Sequence, residues 1–130
     1  MTPDQIELVE SVVTKVDAHP EFASRFYDRL FLQAPQTAGM FTDVEAQQPK
    51  LADELGAMVS LLNDVRSLDA RARDLGARHR GYGVRASHYR IARDVMSETL
   101  HEVLGDQFGP DEEDAWNRAT SLITELMQAN

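Results

Sequence analysis

Cysteine is absent from the chain. Disulfides, thiolate zinc sites and iron–sulfur clusters are therefore excluded, and any metal has to be held by histidine or carboxylate side chains. Histidine is also scarce, because only four occur: His19, His79, His88 and His101. No two of them have the spacing of a zinc site. The sequence thus offers few candidate metal ligands.

Net positive charge and long apolar runs are lacking as well. The net charge of -9 argues against a nucleic-acid partner, because phosphate contacts need a positive surface. No apolar run approaches the ~20 residues of a membrane span, so no membrane partner is expected. The first residues, MTPDQIELVE, lack the basic start and apolar stretch of a signal peptide. We therefore expect a cytoplasmic protein.

Apolar residues recur at helical spacing through the 130 residues, and no segment shows the sustained alternation of apolar and polar residues that is typical of strands. This pattern predicts a single all-α domain over residues 1–130. Thr2 followed by Pro3 and Gln5 is typical of a helix start. A second helix is expected to open at His19-Pro20, and Gln33–Met40 to form a turn or irregular helix.

Prolines and glycines divide the second half of the chain. A third helix is predicted from about Gln47 to Asp64, beginning near Pro49 because proline is not tolerated mid-helix. A short fourth helix should end at Gly81-Tyr82-Gly83, and Ser87 is a candidate cap for the fifth. Gly105 and the Gly109-Pro110 pair are expected to break the fifth helix and to start the last.

Three polar side chains on the predicted apolar faces are candidates for chemistry. His79 shares a face with Leu75, and a lone histidine there is usually a hydrogen-bonded core residue, so metal binding and core packing both remain open. Tyr27 also has two possible roles, because its hydroxyl could donate a hydrogen bond to a backbone carbonyl or to a bound ligand. Gln47 lies four residues before Leu51 on the inward face, although such a residue is more often a solvated cap.

Arginines are concentrated in one stretch of an otherwise acidic chain. A solvated helix face is one interpretation of this stretch, and an anion site or a docking surface is the other. The stretch contains Arg66, Arg71, Arg73, Arg78, Arg80, Arg85, Arg90 and Arg93.

An ordered set of short strings carries a resemblance to a known family. The strings are R-F-Y-D-R-L-F with A-P following, G-M-F, A-Q-Q-P-K-L, A-R-H-R-G-Y-G-V-R-A-S-H-Y, V-L-G-D and D-A-W. In this order and spacing, the chain resembles the globins from its first helix to near the end of its last. It is most similar to single-domain bacterial haemoglobins and to the haem domain of flavohaemoglobins. The resemblance implies a globin fold, a helical sandwich that encloses a pocket for haem b, held without a C-x-x-C-H attachment motif.

The resemblance implies a role for each matching residue. His79 corresponds to the proximal histidine that binds the haem iron. Tyr27 and Gln47 correspond to the distal tyrosine and glutamine. Gln48 is the alternative to Gln47, because the Q-P-K match favours it, whereas Gln47 lies a helical turn before Leu51.

Further residues match positions that contact the haem or support the proximal side. Phe41 would pack against the porphyrin, Leu51 over the iron and Lys50 near a propionate, and Tyr89 would help to fix the proximal histidine. Trp116 is interpreted as a core residue. The full set of expected cofactor contacts is Phe41, Gln47, Gln48, Lys50, Leu51, Leu75, His79, Tyr82, Val84 and Tyr89.

Two departures from the flavohaemoglobin pattern shape the functional expectation. The glutamate that completes a His-Tyr-Glu proximal set lies on the last helix of that family, and it is expected to be absent here. No G-x-G-x-x-G fingerprint of a nicotinamide or flavin domain is present, so repeated turnover would need an external flavoprotein reductase.

Three functions are compatible with the sequence. The first is a haem protein that binds dioxygen, and also nitric oxide or carbon monoxide, at an open distal site. The second is a nitric oxide dioxygenase that works with a separate reductase, in which Tyr27 and Gln47 would serve the reaction. The third is a haem-free globin-like interaction or sensor module.

Overall fold

The computed structural model describes residues 1–129 and contains six α-helices with two short 3-10 helices and no strand in that range. The α-helices are α1 (Pro3–Asp17), α2 (Glu21–Gln33), α3 (Val44–Ser60), α4 (Val65–Gly81), α5 (Ala86–Leu104) and α6 (Pro110–Gln128). The 3-10 helices span Pro35–Met40 and Gly105–Gln107. The predicted all-α class is confirmed. No helix among residues 1–129 is both long and apolar enough to cross a membrane.

The first helix begins as its sequence predicts. The Thr2 side chain accepts from the backbone N–H of Gln5, and the Gln5 side chain accepts from the backbone N–H of Thr2. This reciprocal arrangement satisfies two donors that a helix start otherwise leaves unpaired. The predicted irregular segment between the second and third helices is the 3-10 helix Pro35–Met40.

The predicted start of the third helix was wrong. Helix α3 begins at Val44, where Asp43 accepts from the backbone N–H of Ala46, and Pro49 lies inside the helix. Pro49 is tolerated because it is only the sixth residue of α3, so its missing N–H removes a single helical bond near the end. The longer helix places Gln47 and Gln48 within regular structure.

The predicted fourth and fifth helices also need correction. Helix α4 is not short, because Asp64 caps it through the backbone N–H of Ser67 and it runs for 17 residues. Ser87 does not cap α5, which starts one residue earlier at Ala86. There the Nδ1 atom of His88 accepts from the backbone N–H of Arg85 at 2.9 Å.

Two sets of contacts hold the helices together. Helix α6 packs against α1 and α4, and α2 packs against α5, while α3 contacts α1 more than α4. The core between them is dense and apolar, with Trp116 confirmed as one of its fully buried members. The largest fully buried side chains are Trp116, Phe22, Phe108, Met58, Leu68, Leu100, Val9, Val12, Val95 and Thr99.

The backbones of α4 and α6 touch at Gly76. A Cβ atom added there would lie 1.8 Å from the carbonyl oxygen of Met127. This distance is far inside van der Waals contact, so only glycine fits at this crossing. The close approach fixes the position of α4 one turn before His79.

Candidate functional site

His79 continues the buried face of α4. Leu68, Ala72 and Gly76 are buried along this face, and the His79 ring is half-buried. Its Nδ1 atom lies 2.9 Å from the carbonyl oxygen of Leu75. Because a carbonyl oxygen only accepts hydrogen bonds, Nδ1 carries the proton and Nε2 keeps its lone pair. The imidazole is therefore oriented by its own helix, with one nitrogen left for a ligand.

Burial sets the protonation state of His79. Desolvation lowers the pKa of the imidazole below its ordinary value, and the positive charge of Arg78 lowers it further. The bond to Leu75 and the carboxylate of Glu54 oppose this shift. Since the net direction is downward from 6.5, the ring is neutral at pH 7. A neutral imidazole is the form that binds metals.

Tyr89 covers one face of the His79 ring. The two ring centroids lie 6.1 Å apart and the planes differ by 18°. Tyr89 is only 7% exposed, and its hydroxyl has no hydrogen-bond partner among the described residues. The contact is thus a stack of rings, and the Nδ1 proton of His79 goes to Leu75 instead of to the Tyr89 hydroxyl.

Tyr27 lies in an aromatic cluster at the other side of the candidate site. Its ring centroid is 5.3 Å from that of Phe41 and 6.0 Å from that of Phe31, and Phe26 meets its edge at 5.2 Å. Tyr27 is 4% exposed, so only its hydroxyl brings polarity to this cluster. Desolvation raises the pKa of Tyr27 to about 12, against a smaller opposing effect of a hydrogen bond with Gln47.

Helix α3 brings Gln47 to the Tyr27 hydroxyl. The Gln47 side chain lies close enough to this hydroxyl to lower the pKa of Tyr27 by hydrogen bonding, against the larger effect of burial. Among the described residues, Gln48 has no such effect on Tyr27. The structure therefore pairs Tyr27 with the first of the two adjacent glutamines.

Several apolar side chains on and beside α3 and α4 are only half-buried. Phe41, Leu51, Leu75 and Val84 pack against the core but remain partly exposed. Phe31 and Leu55, which the sequence did not single out, have the same character. Helical spacing could have identified both residues, since Phe31 lies four residues after Tyr27 and Leu55 lies four residues after Leu51.

These residues fit a flat apolar cofactor that carries its own metal. His79 supplies one neutral nitrogen donor, and the half-buried apolar side chains supply a surface that a macrocycle would cover. An ion pair also joins these two helices, because the Nη2 atom of Arg71 on α4 lies 2.7 Å from the Oε2 atom of Glu54 on α3. Both observations are consistent with a haem between α3 and α4.

Two expected contact residues lie at the periphery. Lys50 is exposed on α3. Tyr82 follows the last residue of α4 and is 64% exposed. The structure does not bring either side chain to His79 or Tyr27, and their contact with a cofactor stays a prediction.

The other histidines are engaged elsewhere. His19 pairs with Glu21 at 3.1 Å, and His101 pairs with Glu113. His88 accepts from the backbone at the start of α5. Each of these contacts is near the surface and away from the aromatic cluster of Tyr27.

Comparisons with known proteins agree with this architecture. A family model described as Globin matches residues 24–127. A flavohemoprotein of Bacillus subtilis is 28% identical over 125 residues, which cover 92% of this chain and 31% of that protein. An uncharacterized globin-like protein of Aquifex aeolicus is 25% identical over 131 residues, which cover 98% of this chain and 91% of the other. This chain thus spans about a third of the length of the flavohemoproteins it matches.

A solved structure shows the same arrangement of helices. It is an engineered carbene transferase, a putative nitric oxide dioxygenase from Rhodothermus marinus. The TM-score is 0.86 at 26% sequence identity, and the match covers 98% of this chain and 90% of that chain.

Proposed function

Because this chain belongs to the globin family, we propose that it binds one haem b between α3 and α4 and a diatomic gas on the side opposite His79. His79 would be the axial protein ligand. The observation that carries the proposal is the half-buried imidazole whose Nδ1 bonds to Leu75, which leaves Nε2 as a lone-pair donor. Haem iron held by a histidine supplies an open position for dioxygen, nitric oxide or carbon monoxide.

The protonation state of Tyr27 supports a distal role. With a pKa of about 12, the hydroxyl stays protonated at neutral pH and can donate a hydrogen bond. Gln47 of α3 lies close to this hydroxyl, and the surrounding aromatic rings would exclude water. A gas molecule that arrives on this side would meet a donor in an apolar environment, where hydrogen bonds to a polarised ligand are strong.

The remaining expected contacts would hold the porphyrin. Phe41, Leu51 and Leu75 offer apolar surface, and Val84 continues it beyond the end of α4. Lys50 is available at the surface for a propionate. Because the chain contains no cysteine, the haem would be held without thioether bonds.

Substitution of the proposed ligand tests the proposal. We expect the purified protein to show a strong Soret band. His79→Gly should lose that band or hold haem weakly, with recovery on addition of imidazole, which replaces the missing ring. His101→Ala, on the surface pair with Glu113, is the matched control and should keep the wild-type spectrum.

Two results would contradict this assignment. A wild-type spectrum in His79→Gly, together with its loss in His88→Ala or His101→Ala, would show that another histidine binds the iron. A protein that binds no haem at all would favour the third function, a haem-free interaction or sensor module.

A second candidate function is nitric oxide dioxygenation with a separate reductase. The similarity to flavohemoproteins and to a putative nitric oxide dioxygenase supports it. Mixing the dioxygen complex with nitric oxide should then yield one nitrate per haem, and an added flavoprotein reductase should make nitrate formation continuous. Reversible dioxygen binding without sustained nitrate formation would leave gas binding as the function.

A further inference from the structure

A cavity lies beside Tyr89, where the end of α4, the start of α5 and the end of α6 meet. Its volume is about 220 Å³. None of its lining residues is acidic. They are Arg80, Val84, Arg85, Ala86, Tyr89 and Gln128.

Two guanidinium groups give this cavity its charge. Arg80 donates to the carbonyl oxygen of Met127 at 3.3 Å, which uses one of its five N–H donors. No hydrogen bond or ion pair in the described part of the chain engages the Arg85 guanidinium, although Arg71, Arg73 and Arg78 are all paired with carboxylates. The cavity therefore combines two cations with many unused donors.

Tyr89 lines the cavity, and its buried hydroxyl is a further unused donor. Tyr89 is 93% buried, being 7% exposed, and its oxygen is shielded from solvent without a partner among residues 1–129. Buried hydroxyls are almost always hydrogen-bonded, so an unpaired one calls for an acceptor.

We propose that this cavity is a binding site for a small oxyanion, such as a carboxylate or nitrate. Its oxygens would accept from the Arg80 and Arg85 guanidinium groups, whose planar fork matches such anions, and from the Tyr89 hydroxyl. Gln128 also lines the cavity, and because its Nε2 donates to the carbonyl oxygen of Thr124 at 3.0 Å, one amide N–H remains for an anion.

Binding is best measured on the purified protein, as its ferrous carbon monoxide complex where haem is bound, because the gas then occupies the iron. Sodium formate, nitrate and phosphate are titrated separately at constant ionic strength set by sodium chloride, with amide and arginine side-chain shifts followed by NMR. We expect saturable shifts centred on Arg80, Arg85, Tyr89 and Gln128. The relative affinities show which oxyanion geometry the cavity prefers.

Variants identify the donors. Arg85→Gln and Tyr89→Phe should each weaken binding by about tenfold, the size expected for loss of one charge-assisted hydrogen bond. Tyr89→Phe keeps the ring that stacks on His79. Arg66→Gln makes the same change in net charge on exposed surface outside the cavity and should leave the affinity unchanged.

Three outcomes would overturn the proposal. Shifts that grow linearly with every salt would show ordinary ionic screening. An equal loss of affinity in Arg66→Gln would show an effect of net charge alone. Faster haem loss in Arg85→Gln without any saturable anion shift would show that Arg85 holds a haem propionate. A chain purified without haem would contradict the proposed function but still allow the titration.

Discussion

At the scale of single residues, the proposed role of Tyr27 leads to a prediction about the rate of dioxygen release. Dioxygen polarised by ferrous iron accepts hydrogen bonds well, and such a bond is worth ~1.5–3 kcal/mol. Tyr27→Phe should therefore speed dioxygen release by roughly tenfold to a hundredfold. Carbon monoxide is nearly apolar, and its release should change little. Stopped-flow dissociation rates for the two gases measure the difference.

The two adjacent glutamines provide a matched pair for this measurement. Gln47→Leu should also speed dioxygen release, by a smaller factor, because Gln47 lies close to the Tyr27 hydroxyl and lowers its pKa. Gln48→Leu removes a neighbouring amide without this effect on Tyr27 and should change dioxygen release little. If Tyr27→Phe left dioxygen release unchanged, the tyrosine would be a core residue only. A larger effect of Gln48→Leu would exchange the roles of the glutamines.

Tyr27 also predicts a fall in stability at alkaline pH. Its folded pKa of about 12 lies above the ordinary value of 10.0, so the folded state binds the proton more tightly. The corresponding stabilisation is complete below pH 10 and is lost as the pH rises to about 12. A shift of about two pKa units corresponds to about 2–3 kcal/mol.

Urea unfolding at a series of alkaline pH values tests this loss. The free energy of unfolding should fall less steeply with pH in Tyr27→Phe than in the wild type. Tyr82→Phe removes an exposed hydroxyl and is the control. Identical pH profiles for wild type and Tyr27→Phe would show that Tyr27 is not desolvated in solution.

At the scale of elements, two helical glycines should respond to alanine in opposite ways. Gly76→Ala places a Cβ 1.8 Å from the Met127 carbonyl oxygen, so α4 and α6 must separate. We expect a loss of ~2–4 kcal/mol, in the range of severe overpacking. Gly56→Ala meets only Val13 Cγ1 at 3.7 Å, an ordinary contact, and should stabilise α3 by roughly 0.5–1 kcal/mol.

Urea unfolding of the two variants gives both values under the same conditions. Haem content should be compared as well, because His79 lies on the helix that Gly76 positions. A Gly76→Ala protein as stable as the wild type would mean that the two backbones do not touch in solution.

The helices show what local sequence does and does not determine. The Thr2 cap, the 3-10 segment and the break at Gly105 were predictable, since each depends on a few adjacent residues with strong preferences. The start of α3 was missed because Pro49 was taken as a helix start, whereas the helix is capped six residues earlier by Asp43. The length of α4 was missed because its first turns carry exposed arginines and little apolar periodicity.

The candidate site was less predictable from local sequence than the helices were. Periodicity alone placed His79 and Tyr27 on inward faces, where core packing is the more common role for a histidine, and it did not decide between core packing and chemistry. The resemblance to the globins supplied the roles, and the structure adds the proximity of Gln47 to the Tyr27 hydroxyl and the Leu75 partner of His79. The Glu54–Arg71 pair and the cavity beside Tyr89 depend on tertiary contacts that no local pattern encodes.

At the scale of the whole molecule, charge distribution bears on the proposed reductase. The net charge is -9, and several arginines of α4 are neutralised by carboxylates on the same or the adjacent helix. Arg66, Arg85 and Arg90 are exposed. Arg85 and Arg90 both lie at the start of α5, and we propose this exposed basic end as the place where an acidic flavoprotein would dock.

Docking through exposed charges predicts a strong dependence on salt. The rate of haem reduction by a partner flavoprotein should fall steeply as ionic strength rises, because exposed charges are screened beyond ~10 Å at 0.1 M. Arg90→Glu should lower the low-salt rate and weaken its salt dependence. Reduction at a rate independent of salt would exclude this docking mode, and the arginines would then be a solvated helix face.

The contact at Gly76 makes α4 behave as a lever. Gly76 rests on Met127 and acts as a fulcrum, with His79 about 4–5 Å along the helix on one side and Arg71 about 7–8 Å on the other. Any tilt that draws His79 toward a ligand must swing Arg71 the opposite way. Arg71 is tied to Glu54, on the helix that also carries Gln47. A tilt of α4 that displaced His79 would therefore also pull on Glu54, and through it on the helix that carries Gln47.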